Sequence, residues 1–414
     1  MEKGFDFREQ LSVMARERLE SSSIGEIIEL AARHRALSFG AGEPSAELFP
    51  KNAIREAVAE AFAEKDVWGY YHDDFGYLPL REWICERMGK DGMAPSWVQP
   101  EHILLTNGGG EGVSLVSEAL IDPGSVVLVE SPTYVESLLT FRKQGAVCVP
   151  VPSDDEGIIP SELERIASAV RPRFLYTIPN FQNPSGRTIP EERRVQILEI
   201  LRKLDFPMLE DDPYHYLSYD AVPPTSFLKL TGNDYRVVHC NSFSKTIAPG
   251  LRVGWLVVPP PLKKALHHLR VSAGLGRPTV IQAGIWRYLS GIDFLSRIEE
   301  LCKNYRERRD AMMDGIKRFL NPLGIRASQP AGGFFIWCES PDSRDIHSFA
   351  RYSVEEHGIA IIPGQSFFPK GDKRGDWAFR LSYAKVTAEQ VEEGMQRLVR
   401  AWESYPAARA TSGF

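Results

Sequence analysis

The chain has 414 residues, enough for two or three domains and a large core at roughly 150 residues per domain. Its apolar, charged and aromatic fractions of 43%, 25% and 10% exclude a disordered or fibrous chain, and no run of about 18 apolar residues could cross a bilayer. With 49 basic against 55 acidic residues the net charge is −6, so neither a nucleic acid nor a membrane is expected as a partner.

The N-terminus, MEKGFDFREQLSVMARERLE, is charged and periodic and lacks the apolar stretch of a secretory leader. The five cysteines are odd in number and widely separated, with no C-x-x-C pair and no histidine at ligand spacing. They read as buried thiols of a cytoplasmic protein, and no metal is expected.

Residues 1 to about 45 read as helical and then extended, with Gly40, Gly42 and Pro44 breaking the pattern, and are expected to pack beside the C-terminal part. From about 100 to 260, short apolar runs alternate with helical patterns. The runs are ILLT (103–106), VVLVE (126–130), VCVPV (147–151), FLYTI (174–178), PMLE (207–210), VVHC (237–240) and GWLVV (254–258). Between them the amphipathic stretches 133–143, 161–170 and 190–204 have the length a crossover helix needs. This alternation predicts an α/β fold with a mostly parallel sheet covered by helices on both faces, and ligands bound where its strands end. After 260, long helical segments (279–320), short strands near 333–337, 359–362 and 377–382 and a helix near 387–404 predict a smaller α+β domain. The tail SYPAARATSGF is expected to fray.

Four segments carry candidate chemistry. NSFSKTIAPGLRVGW (241–255) places Ser242, Ser244, Lys245 and Arg252 in one loop at the end of a predicted strand. A lone lysine is ordinarily a solvated surface group. Two hydroxyls, a guanidinium and a Pro249-Gly250 turn suit a phosphate, however, and an amine beside a phosphate anchor is what a Schiff-base cofactor requires.

In ILLTNGGGEGVSLVSEAL (103–120), three glycines precede a helix, so backbone N–H groups can face an anion; a plain tight turn reads the same way. Glu210-Asp211-Asp212-Pro213-Tyr214 closes a strand; these acids are either caps and solvated loop residues or include one carboxylate facing a pyridinium nitrogen. Asn180-Phe181-Gln182-Asn183-Pro184-Ser185-Gly186 is a turn by composition, with or without a ligand.

In order and spacing, SFSK with Arg252 seven residues on, NPSG and DDPY resemble the class I/II aminotransferases of pyridoxal 5′-phosphate (PLP) fold type I. The nearest branch holds the α-aminoadipate and kynurenine aminotransferases and the aminotransferase-like half of MocR regulators, and the resemblance runs from about residue 20 to 404. It implies a large PLP-binding domain (46–290) with a mixed, mostly parallel sheet, and a small α+β domain built from 1–45 and 291–414. It also implies a ping-pong transfer from an amino acid to a 2-oxo acid, most commonly 2-oxoglutarate, in a homodimer with shared active sites.

Residue by residue, the resemblance makes Lys245 the Schiff-base lysine and proton shuttle and Asp211 the partner of the pyridinium nitrogen. Tyr214 and Asn183 would bond the phenolic oxygen, and Tyr134, in SPTY, would stack on the ring. Gly109, Gly110, Ser242, Ser244 and Arg252 would hold the phosphate, joined by Tyr71 of a neighbouring subunit. Arg380, in FRLSYA (379–384), would bind the substrate α-carboxylate with the Gly42 backbone and Asn183; a structural ion pair is its alternative.

The chain departs from the branch at Gly109 and Gly110, where Ser and Gln are usual, so backbone N–H groups must serve the phosphate. It departs again at Gly25, where aminoadipate-type enzymes often carry an arginine for a side-chain carboxylate. Another PLP carbanion reaction on the same site is the main alternative. A MocR-like sensor is disfavoured, because the similar region begins within about 20 residues of Met1.

Overall fold

The computed structural model describes residues 7–18, 23–69, 71–274 and 277–406. The end of the tail, from 407 on, lies outside them.

Seven of the eight strands of the central sheet are the seven apolar runs. In chain order they are β1 (Ile103–Thr106), β2 (Val126–Ser131), β3 (Val147–Asp154), β4 (Gly157–Ile158), β5 (Phe174–Thr177), β6 (Met208–Asp211), β7 (Val237–Ser242) and β8 (Gly254–Val257). Their spatial order is β1-β8-β7-β6-β5-β2-β3-β4. Strands β3, β2, β5, β6 and β7 run parallel, β8 is antiparallel to both its neighbours, and β4 folds back on β3. Strands β1, β5, β6 and β7 are buried at every residue, as strands covered on both faces must be, which is why they read as continuous apolar runs. The two-residue β4 is too short to leave a periodic signal.

The crossover helices fall within two residues of their expected starts: α1 (Gly109–Leu120), α2 (Val135–Lys143), α3 (Pro160–Val170) and α4 (Glu191–Leu204). Further helices, Lys51–Ala61 and Leu78–Lys90, fill a stretch to which no element was assigned, and the first packs against Thr279–Ser290. The long helical stretch divides where Asp293 accepts from the N–H groups of Leu295 and Ser296 and so caps a new helix, Phe294–Gly315.

A second, antiparallel sheet holds β9 (Arg326–Ala327), β10 (Phe335–Glu339), β11 (Ile362–Pro363) and β12 (Ala378–Ser382) in the order β9-β10-β12-β11. The expected strand 359–362 splits. Ile359–Ala360 leaves this sheet and pairs in parallel with Leu37–Ser38, which ties the N-terminal segment to the C-terminal part.

Alternation along β6 sends Glu210 and Asp211 to opposite faces. Glu210 accepts from the backbone of Phe227 (2.8 Å) and Leu228 (3.1 Å) and contacts His239 Nδ1 at 2.9 Å, so one carboxylate joins β6, β7 and the short helix Phe227–Leu230. Burial opposes a charge on His239, but Glu210, helped by Asp212 and Asp211, holds the imidazole pKa above its usual value. Removing one partner of so buried a group leaves the others unsatisfied, and Glu210→Ala is expected to lower unfolding free energy by about 3–5 kcal/mol. Urea unfolding of variant and parent checks this; a change under about 1 kcal/mol contradicts it.

Candidate active site

The carboxyl ends of β2, β5, β6 and β7 lie along one sheet edge, and a cavity of about 320 Å³ opens there. It is lined by Gly109, Gly110, Tyr134, Asn183, Asp211, Tyr214, Ser242, Ser244, Lys245 and Arg252, residues drawn from all four candidate segments and SPTY.

After β7 the chain turns on its own side chains. Asn241 Oδ1 accepts from the Ser242 N–H at 2.7 Å and Ser242 Oγ from the Ser244 N–H at 3.3 Å, and Lys245 follows. Its Nζ donates to the Gly42 carbonyl at 3.0 Å and lies 5.8 Å from the ring centroids of both Tyr214 and Phe334. Burial, reinforced by Arg380, lowers its pKa to about 8. Glu43 and Asp211 pull the other way.

Arg252 has a left-handed backbone (φ 53°) and spans two loops, donating to the Pro249 carbonyl at 3.2 Å and to the Asn107 carbonyl at 2.8 Å. That reach requires glycine at 108. Gly108 has φ 78°, and a Cβ there would lie 2.6 Å from Arg252 Nη2. A Cβ on Gly109 would make only an ordinary contact, 3.6 Å from Cys240 Sγ, and one on Gly110 would meet nothing. Of the three glycines, Gly108 is the one the backbone demands, although Gly109 and Gly110 were the expected phosphate holders. Helix α1 starts at Gly109 with no side-chain cap, so its first N–H groups open onto the cavity beside Arg252, Ser242 and Ser244. This cradle of backbone N–H groups, hydroxyls and a guanidinium fits a phosphate without the missing side chains at 109 and 110.

The three acids that end β6 have three different jobs. Asp212 accepts from Asn180 Nδ2 at 2.9 Å and lies 3.3 Å from His215 Nδ1; burial pushes its pKa up, but these partners hold it low. Glu210 points to the opposite face. Asp211 alone faces the cavity, and burial pushes its pKa to about 6. Tyr134 is the first residue of the α2 turn, and Tyr214 follows Asp211 by three residues; burial raises both phenols.

Arg380 enters from β12. Nη1 donates to Asn183 Oδ1 at 2.7 Å and Nη2 to the Gly40 carbonyl at 2.6 Å, while Cζ lies 4.3 Å from the Phe335 ring centroid and 5.0 Å from that of Phe367. Its buried Nε has no partner, and no carboxylate among the described residues reaches it, which removes the structural ion pair as an explanation. Burial lowers its pKa to about 10. The carbonyl beside Arg380 is that of Gly40, whereas the Gly42 carbonyl serves Lys245. Sequence reasoning missed Gly40, Phe335 and Phe367; only the antiparallel pairing of β10 and β12 brings Phe335 next to Arg380. Tyr71 is outside the cavity: its Oη accepts from the Leu78 N–H at 3.2 Å and its ring lies against His72 and Tyr77.

A mostly parallel sheet gathers at its carboxyl edge a lysine of lowered pKa, a buried carboxylate, open helix N–H groups and two serine hydroxyls, and a second sheet adds a buried arginine. The model of the family described as aminotransferase class I and II matches residues 35–398, and the chain belongs to that family. It is an aminotransferase, a mover of amino groups.

The chain is 36% identical to a 2-aminoadipate transaminase of Thermus thermophilus over 93% of its own length and 94% of that protein. It is 32% identical to an aromatic-amino-acid aminotransferase of Thermococcus litoralis, over 92% and 91% of the two chains. Among solved structures it resembles an α-aminoadipate aminotransferase of Thermus thermophilus, LysN, complexed with N-(5′-phosphopyridoxyl)-L-leucine, with a TM-score of 0.88, 33% identity and 96% and 98% coverage. The fold is that of the PLP fold type I aminotransferases.

A side chain at 108 would strain a left-handed residue by about 1–2 kcal/mol and displace Arg252 as well. Gly108→Ala is therefore expected to weaken PLP binding at least about tenfold, while Gly110→Ala leaves it within about twofold. Absorbance titration of the cofactor-free variants measures both; equal losses would contradict the assignment.

Proposed function

We propose that this aminotransferase binds PLP covalently at Lys245 and carries the amino group of an α-amino acid to a 2-oxo acid, 2-oxoglutarate being the expected acceptor, by a ping-pong mechanism. The observation that carries this reading is Arg380, a buried guanidinium with no acid partner among the described residues, set beside Asn183 and close enough to Lys245 to lower its pKa. A substrate α-carboxylate supplies the missing anion, and a planar fork binds it bidentately.

When bound, PLP supplies an electron sink for the pair left at the substrate Cα. Asp211 would hold the charge of the ring nitrogen, Tyr134 would stack on the ring, and Tyr214 and Asn183 would bond its phenolic oxygen. Gly109, Gly110, Ser242, Ser244 and Arg252, which line the same cavity, would hold the phosphate. With a pKa lowered to about 8, Lys245 is partly neutral near physiological pH; its Nζ takes the proton from the substrate Cα and keeps it for return. Phe335 and Phe367 flank Arg380 and keep water from the carboxylate.

Replacing Arg380 by lysine keeps the charge and loses the fork. Charge-assisted hydrogen bonds are worth about 1.5–3 kcal/mol each, so kcat/KM is expected to fall roughly ten- to a hundredfold for donor and acceptor alike, with PLP binding unchanged. Steady-state kinetics with both substrates checks this. A defect confined to one substrate, or loss of PLP, would give Arg380 another job.

The same reading places the protein in the cytoplasm, divides it into 46–290 and 1–45 with 291–414, and makes it a homodimer in which Tyr71 reaches the partner's phosphate. No helix among the described residues is long and apolar enough to cross a membrane. The support for the dimer is that Tyr71 does not reach the cavity of its own chain, while Trp68 nearby is 71% exposed. Sedimentation at assay concentration is expected to give a dimer, and an active monomer rules the shared site out.

A further inference from the structure

Asp211 lines the cavity and has one carboxylate oxygen engaged. Oδ2 accepts from Tyr176 Oη at 2.8 Å, and Tyr176 Oη in turn accepts from Ser137 Oγ at 2.8 Å. The three residues come from β6, β5 and α2, and none has appreciable exposure. Tyr176 is wholly buried, its ring edge-on to Phe141 at 5.3 Å, where phenylalanine would pack as well. Its hydroxyl has no packing purpose. A buried phenol is costly unless its proton has an acceptor, and Asp211 is that acceptor.

We propose that Ser137 and Tyr176 form a two-hydroxyl relay that fixes the Asp211 carboxylate and leaves Oδ1 for the ring nitrogen of the cofactor, with Tyr176 as a positioning residue. The inference rests on the reading of Asp211 given above. The chain of donors is polarised one way: Ser137 donates to Tyr176 and Tyr176 donates to Asp211, so each bond strengthens the next and both favour the ionised acid. Burial holds the Tyr176 phenol far above its ordinary pKa, and Asp211 holds it there too, so Tyr176 keeps its proton and acts only as a donor.

The other ionisable groups around Asp211 are Lys245 in the loop after β7, His239 and Cys240 on β7, Glu130 on β2 and Tyr134 at the start of α2. Asp212 and Tyr214 follow it in its own loop. Among the described residues none of these hydrogen-bonds the carboxylate; Tyr176 does. The sign follows. Burial has already raised Asp211, and the Tyr176 bond opposes that rise, so removing the hydroxyl raises it further. Affinity for a protonated ring nitrogen is full above the Asp211 pKa and is lost as pH falls through it.

The test uses the cofactor-free full chain and pyridoxamine 5′-phosphate, which has the ring nitrogen and phosphate but no aldehyde to react with Lys245. Affinity is measured from pH 5 to 9. The ligand's own titrations are common to all proteins, so differences between profiles report on the site. In Tyr176→Phe the acid-side loss of affinity is expected to begin about one pH unit higher than in the parent, as a hydrogen bond to a charged group implies. Ser137→Ala, which leaves the core ring in place, should shift it the same way by less. Asp211→Asn should flatten the acid limb and weaken binding throughout. If Asp211→Asn is flattened while Tyr176→Phe and Ser137→Ala coincide with the parent, the relay is overturned and the reading of Asp211 stands. If Asp211→Asn itself binds as the parent does, both fall.

Discussion

Parallel strands can end on the same side of a sheet only if each connection crosses back over it, and this geometry underlies everything in the site. Strands β2, β5, β6 and β7 deliver Ser131, Thr177, Asp211 and Ser242 to one edge. The residues that follow, Tyr134, Asn183, Tyr214 and Lys245, are then a few residues of loop away from a common cavity although up to 111 positions separate them in sequence. Helices α1 to α4 cover the sheet and return the chain, and α1 also brings its open N-terminus to that edge.

The second constraint is charge out of water. Lys245, Asp211 and Arg380 are each shifted by burial toward the neutral form, and each is shifted for a different chemical end. On the proposed reading the partly neutral amine serves as base and nucleophile, the acid with one oxygen on Tyr176 offers the other to a cation, and the guanidinium, with no acid partner among the described residues, takes an anion. Arg380 also fastens the molecule together. Through Asn183 it holds a loop of the large sheet, through Gly40 the N-terminal segment, and it stands on a strand of the small sheet. Arg380 therefore stands where three distant segments of the chain meet.

Much of this was legible in the sequence. Continuous apolar runs marked seven buried strands, and spacing of helical length between them marked the crossovers. Polar residues clustered past these runs marked the cavity, which Lys245, Asp211, Asn183 and Arg252 all line. The two-residue strands were not legible, because two residues carry no period. Nor were the different jobs of Glu210, Asp211 and Asp212. They are neighbours in sequence, and only the pleat and the partners on β7 and the Asn180 loop separate a structural pin from a loop fastener and a cavity acid.

The sequence by itself determined the element types, the order of the strands along the chain and the set of reactive side chains, since these rest on local periodicity and on residue chemistry. The tertiary structure decided which glycine of three is indispensable and which carbonyl meets Arg380. It also decided that Arg380 meets no acid among the described residues and that Asp211 leans on Tyr176, 35 residues away. Those outcomes depend on distances between segments that no local pattern encodes. A left-handed turn is fixed by the arginine that passes over it, and a buried charge by the elements packed around it.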